Sequence, residues 1–205
     1  LEKISQFNNT EELKKTFSYN SKGWIVSSKD SYENEKTYVY DNVGNVLQSI
    51  NPPSTTGGLQ YSIENLYSPA NNILGLLVSS KERTSQNLWN ETIYQYEDPD
   101  APCKPSRIIN GLMEETTVDY NNFGQIVSIT KQTQNGTKTK TYQYDTSNGK
   151  LLVSSDFIGN ETSYILNNNG KEVQKNEFEG TIATGTPVSS TTTNRDEYNN
   201  AIGSS

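Results

Sequence analysis

The chain has 205 residues, of which 31% are apolar, and a formal net charge of −7. That acidity excludes a nucleic-acid binder, which needs cations to neutralise phosphates, and an anionic membrane surface as partner. There is no histidine, which excludes Ser-His-Asp and Cys-His nucleophilic systems and the usual zinc sites, and the single cysteine excludes an intrachain disulfide.

Leu, Ile, Val and Phe are sparse, and Tyr supplies a large part of the apolar set. A double-layered core is hard to build from this. A thin β architecture fits better, because each strand need bury only one face. No run of 18 apolar residues exists, so no transmembrane segment is expected. The chain shows no initiator Met and no signal peptide, and reads as a mature form or an excised fragment. No cofactor is expected.

In chain order, residues 9–15 offer the one plausible helical stretch, equally readable as a loop before a strand at Thr16. A unit then begins that recurs along the chain. Phe17-Ser-Tyr19-Asn20 leads to Gly23-Trp24 and an aliphatic run. Tyr38-Val-Tyr40-Asp41-Asn-Val-Gly44-Asn-Val is its clearest copy, set off by a second turn around Tyr32-Glu-Asn-Glu35. Tyr38 and Tyr40, two apart, fall on one face of a strand. Asp41 follows where a short side chain can bond the backbone ahead. Gly44 supplies the positive φ of a three- to five-residue hairpin loop, and the aliphatic stretch after it is the return strand.

Residues 51–58, with two prolines and two glycines, read as a loop between strands. Degenerate units follow at Asn65-Leu-Tyr67 and at Tyr94-Gln-Tyr96-Glu97, the latter running into an Asp/Pro-rich loop at 98–105. Clear copies resume with Tyr120, Asn121 and Gly124, with Tyr142, Tyr144, Asp145 and Gly149, and with Tyr164, Asn167 and Gly170. Asn135-Gly136 is a two-residue hairpin signal between units, and Ile158-Gly159-Asn160 marks another turn. Residues 179–195 read as a Ser/Thr/Gly-rich loop, and 196–205 as a partial last unit.

The fold this predicts is all-β. It is a continuous antiparallel meander of repeated hairpins forming a curved single-layer sheet, an open spiral or a barrel-like shell. Residues 1–205 form a single repeat array with recognisable units over 16–178, and Tyr40, Tyr96, Tyr120 and Tyr144 should form a ladder on one face.

Candidate chemistry is thin. Cys103 lies between prolines with no base partner, and reads as a loop thiol. Among the carboxylates Glu97, Asp98, Asp100, Glu114 and Glu115, the 97–100 group reads as a turn and the last two as opposite faces of a strand. Asp98 and Asp100 match no calcium-loop pattern. Catalytic and metal residues are therefore none. Trp24 and Trp89, flanked by polar residues, are the candidate glycan-binding side chains, against the alternative that their rings fill the sheet's buried face.

The repeated units resemble the YD-repeat, or Rhs-repeat, family, whose pattern is Tyr-x-Tyr-Asp-x-x-Gly-(Asn/Arg)-(Leu/Val). Tyr38 to Val46 matches it throughout, and Asp156 to Tyr164 resembles the family's inter-repeat segment. The resemblance implies a secreted or cell-surface bacterial protein whose long antiparallel sheet spirals into a hollow shell. The implied partners are neighbouring repeats or a C-terminal cargo domain of the same protein. The family's terminal self-cleaving module and a toxin domain are not recognisable in this stretch. Bacteroidetes lipoproteins with similar Tyr-x-Tyr-Asp units are a second resemblance, and imply lipid anchoring of the precursor and a glycan as alternative ligand.

Overall fold

The computed structural model describes residues 2–8, 11–53, 58–70, 73–196, 198 and 200–204. The chain divides into two compact units, residues 1–95 with 108–113, and residues 96–107 with 114–205. The hairpin that the sequence predicts is the building block within each.

The first unit contains β1 (Glu2–Asn8), β2 (Glu11–Tyr19), β3 (Ile25–Lys29), β4 (Glu35–Tyr40), β5 (Val46–Ile50), β6 (Ser62–Ala70), β7 (Ile73–Ser85) and β8 (Leu88–Gln95). Each pairs antiparallel with the next. The three-residue β9 (Arg107–Ile109) spans the sequence boundary of the units. The second unit contains β10 (Glu115–Tyr120), β11 (Ile126–Thr133), β12 (Gly136–Tyr144), β13 (Leu151–Ser155), β14 (Glu161–Leu166), β15 (Glu172–Phe178), β16 (Ser189–Arg195) and β17 (Ala201–Ser204), again paired in sequence order. The all-β meander that the sequence predicts is present in both units. The helical content described is one short turn, Ile182–Thr184.

Burial shows how a thin sheet protects its side chains. No described side chain is fully buried. Among the described residues of the first unit the buried ones are four serines, Ser28, Ser49, Ser62 and Ser79, three of them set between larger neighbours across the sheet. Ser28 lies between Phe17 and Lys36, Ser49 between Tyr38 and Ile63, and Ser79 between Leu66 and Ile93. Lateral cover by large cross-strand partners hides the small residue without a second layer.

Three sequence expectations are corrected. Residues 11–15 are strand, not helix or loop, because β1 pairs along them from Ser5↔Lys14 to Asn8↔Glu11; residues 9 and 10 lie outside the described set. The Ser/Thr-rich stretch is irregular only as far as residue 188. Ser189–Arg195 forms β16, its threonines paired against β15, which suits their β-branched shape. At Asn135-Gly136 the loop proper is Gln134–Asn135, and Gly136, at φ 108, already pairs with Thr133. Residues 54–57 of the proline loop, and 197, 199 and 205 of the last partial unit, lie outside the described residues.

Candidate functional site

The recurring residues converge on one structure, a bulged hairpin end. In β4–β5 the register runs Val39↔Gln48, then Tyr40↔Val46, leaving Leu47 as the extra residue of a β-bulge. The same slip leaves Val26, Val78, Val127, Leu152, Val173 and Ile202 as extras in the corresponding pairs. Every one is aliphatic. The bulge therefore accounts for the paired aliphatics after most of these turns, as at Val46-Leu47, Ile126-Val127 and Leu151-Leu152, which a strictly alternating strand would not tolerate.

Between Tyr40 and Val46 lies a five-residue loop held by Asp41. Its Oδ1 accepts from the N–H groups of Val43 (2.9 Å), Gly44 (2.8 Å) and Asn45 (2.9 Å). Asn45 Nδ2 donates to Asp41 Oδ2 at 2.8 Å, and Asp41 N–H donates to the Asn45 carbonyl at 3.0 Å. Gly44 sits at φ 104, where an L side chain is strained. Asn20, Asn121 and Asn167 hold equivalent loops through Oδ1. Asp145 holds a longer variant through Ser147 and Asn148, with Gly149 at φ 69.

Sequence reasoning missed that the opposite turns use the same device. Asp30 and Asp156 cap their loops as Asp41 does, each receiving the amide of an asparagine four residues on, Asn34 or Asn160. Asp196 and Asn200, in the bulged hairpin β16–β17, repeat the Asp41–Asn45 arrangement itself. The signal was present as Asp-x-x-x-Asn. The loop containing Tyr32 therefore begins at Asp30, two residues before the turn read from sequence, and Glu33 takes the left-handed position at φ 66.

Hydrogen bonding governs these carboxyls. Burial pulls Asp41 and Asp156 upward, but the asparagine amide and the loop N–H groups outweigh it and hold both below the usual range. Asp30, Asp145 and Asp196 are lowered chiefly by side-chain hydrogen bonds, from Asn34, Ser147 and Asn200.

Successive hairpins are joined by two further contacts. The second tyrosine of a unit reaches back to the preceding return segment. Tyr40 donates to the Ile25 carbonyl (2.7 Å), Tyr144 to Ile126 (2.8 Å) and Tyr120 to Pro105 (3.0 Å). Burial raises the pKa of all three phenols, making each a weaker acid. Tyr120 and Tyr144 thus stand on alternate strands, β10 and β12, rather than adjacent ones, and the Tyr144 hydroxyl bonds β11, the strand between them. Tyr38, Tyr142 and Tyr164, the first ring of their units, are half-buried in β4, β12 and β14. Tyr94 is half-buried in β8, and Tyr96 is buried at 9% exposure.

The second contact runs forward. The residue after one turn's glycine lies on the glycine of the next turn. A Cβ placed on Gly44 would stand 3.1 Å from Trp24 Cζ2, and one on Gly149 3.6 Å from Gln125 Nε2. One on Gly170 would stand 3.5 Å from Lys150 Cε. Gln125 Nε2 also donates to the Gly149 carbonyl at 2.8 Å, and Lys104 Nζ to the Gly124 carbonyl at 2.6 Å.

The two tryptophans are not brought together. Trp24 belongs to this turn-on-turn contact. Its ring lies 5.4 Å from that of Tyr40, and the Lys22 ammonium stands 4.6 Å from its centroid. Trp89 is 41% exposed in β8, opposite Arg83. Strand alternation puts Trp89 and Tyr94 on opposite faces of β8. The carboxylate candidates serve locally. Asp98 accepts from Asp100 N–H (2.8 Å) and Tyr120 N–H (3.2 Å), while Glu115 pairs with Arg107 at 2.5 Å. Cys103 is exposed.

No protein-family model matches the sequence, and no curated protein matches it. Solved structures do. The chain is similar to part of "TcdB2-TccC3-Cdc42", at 16% identity and a TM-score of 0.71, covering 94% of this chain and 10% of that one. It also matches a Photorhabdus luminescens Tc holotoxin pore at 14% identity and TM-score 0.40, covering 94% of this chain and 13% of that one. A porin-like protein from Bacteroides uniformis matches at 13% identity and TM-score 0.46, covering 85% of this chain and 80% of that one. The likeness to the first is one of fold, and the chain spans a tenth of its length.

Proposed function

We propose that the chain is a non-catalytic stretch of β scaffold, a YD-type wall segment of a secreted or cell-surface bacterial protein. Neighbouring repeats or a C-terminal cargo domain of the same protein are its partners. One observation carries this reading. The residues that recur from unit to unit are used structurally: the capping acid or amide closes each hairpin, while the glycine, the residue after it and the second tyrosine hold hairpin to hairpin. The fold likeness to a stretch of a toxin-complex chain supports a wall role.

The alternative is a carbohydrate-binding surface lipoprotein module. The two candidate rings argue against it. Trp24 already lies against Gly44, Tyr40 and Lys22, and Trp89 stands on the face of β8 opposite Tyr94. A glycan-array screen at millimolar ligand, with Trp24→Ala and Trp89→Ala controls, separates the readings. The scaffold predicts no specific binding. Saturable binding that falls with either substitution replaces it by the glycan module.

A further inference from the structure

Asn-Gly is the dipeptide most prone to lose its side-chain amide, because glycine leaves the following backbone nitrogen open to approach. The chain contains four such pairs, at 110–111, 135–136, 148–149 and 169–170. Three are restrained. Asn110 Oδ1 accepts from Leu112 N–H at 3.0 Å, and the Asn90 side chain crowds Gly111, a Cβ there falling 1.7 Å from Asn90 Oδ1. Asn148 is held at both ends of its amide, by Asp145 Oδ2 (2.9 Å) and Lys150 N–H (2.9 Å), and Gly149 N–H is engaged by the Asp145 carbonyl at 2.8 Å. Asn169-Gly170 lies inside a capped loop, with Gly170 N–H on the Asn167 carbonyl at 2.8 Å and Asn169 and Lys171 N–H both on Asn167 Oδ1 at 3.0 Å.

Asn135 differs. It is exposed, its carboxamide makes no hydrogen bond among the described residues, and nothing lies within 4 Å of a Cβ placed on Gly136. Thr133↔Gly136 is the last rung of the β11–β12 ladder, where opening costs least. We propose that Asn135 is a site of spontaneous deamidation, the Asn-Gly pair that this fold restrains least, held at the terminal rung of its ladder. The Gly136 nitrogen attacks Asn135 Cγ and gives up its proton to solvent. The Cγ–Nδ2 bond breaks, ammonia leaves, and a five-membered succinimide forms. Water then opens either carbonyl of the ring, yielding aspartate or, with the backbone rerouted through Cβ, isoaspartate. Either product places a new carboxylate at the tip of the hairpin in which Lys131 and Lys138 stand directly opposite each other. That charge relieves a like-charged cross-strand pair.

The test is peptide mapping by mass spectrometry of the whole chain after incubation in mildly alkaline buffer. Folded protein should convert residue 135 about tenfold faster than 110, 148 or 169, the factor expected when a competing site is held by one or two hydrogen bonds. Fully unfolded in urea, the four sites should converge. Asn135→Gln should abolish the isoaspartate signal in folded protein. Equal rates in the folded chain, or faster conversion at another pair, overturn the proposal. So does a tenfold preference for 135 that persists in urea, since local sequence would then be its cause.

Discussion

The edge of Trp24 lies over Gly44, so close that a single added methyl would meet Cζ2 at 3.1 Å. Glycine at this position answers two demands, a left-handed backbone at φ 104 and room for the ring of the preceding unit. Gly136, at φ 108 with open space around it, answers only the first. Alanine at 136 should therefore cost about 1–2 kcal/mol from backbone strain alone. Alanine at 44 should cost more, by about 1–3 kcal/mol of overpacking. Urea unfolding of the two variants, and of Gly44→Ala combined with Trp24→Ala, checks this. Measured against Trp24→Ala alone, the added Gly44→Ala should cost only the strain, because the clash is gone. Equal losses for the two single variants would refute the packing role of Trp24.

The hydroxyl of Tyr40 should be worth about 1 kcal/mol as a single hydrogen bond to a backbone carbonyl. Tyr40→Phe retains the ring and removes that bond to Ile25, and Tyr144→Phe does the same at Ile126. Each should lower the urea midpoint with an unchanged slope. Tyr142→Phe is the contrast, since its hydroxyl makes no bond of this kind among the described residues, and should be close to neutral.

Met113 occupies, at φ 61, the left-handed position that glycine fills in most of these turns, and is 80% exposed. Its side chain gains little from burial, while its backbone is strained. Met113→Gly should raise stability by about 1 kcal/mol despite the added freedom of the unfolded chain. Glu33→Gly should help less, because it also removes the ion pair with Lys29. Thermal unfolding of the two variants reads the order directly.

What could be read from sequence follows from which interactions are local. Tyr38 to Gly44 declares itself because period-two aromatics, a capping acid and a glycine all act within one hairpin. The Asp30 turn escaped notice because Glu33 stands where glycine would announce it, and only the four-residue spacing to Asn34 remains as a signal. β16 was hidden because threonine and serine carry no apolar pattern; pairing with β15, not its own composition, makes it a strand. The packing role of Trp24 was hidden for a related reason. A tryptophan between polar residues resembles an exposed ligand platform, and only the next unit, some twenty residues on, supplies the glycine that it covers. Bulges are invisible to strict alternation, yet the aliphatic doublets Val46-Leu47 and Leu151-Leu152 mark them once the register is known.

Stability should form a plateau bounded by two kinds of group. Asp30, Asp41, Asp145, Asp156 and Asp196 are all held below their unfolded values by the turns they cap. The folded state therefore binds fewer protons than the unfolded one in this range. Their contribution is complete above the unfolded aspartate value, about pH 4, and is lost as pH falls through the lower folded values. Tyr40, Tyr67, Tyr120 and Tyr144 are raised by burial, so the neutral phenol is favoured in the folded state. Their contribution is complete below about pH 10 and is lost as pH rises through the higher folded values. With no histidine to titrate between, the midpoint of urea unfolding should change little from about pH 5 to about pH 9 and fall at both ends. Asp41→Asn should flatten the acid limb and cost little at neutral pH, because an amide oxygen caps the equivalent turns at Asn20, Asn121 and Asn167. Asp41→Ala should lower the neutral plateau itself, since the loop N–H groups then lose their acceptor. An acid limb unchanged by Asp41→Asn would mean that the turn cap is not what titrates.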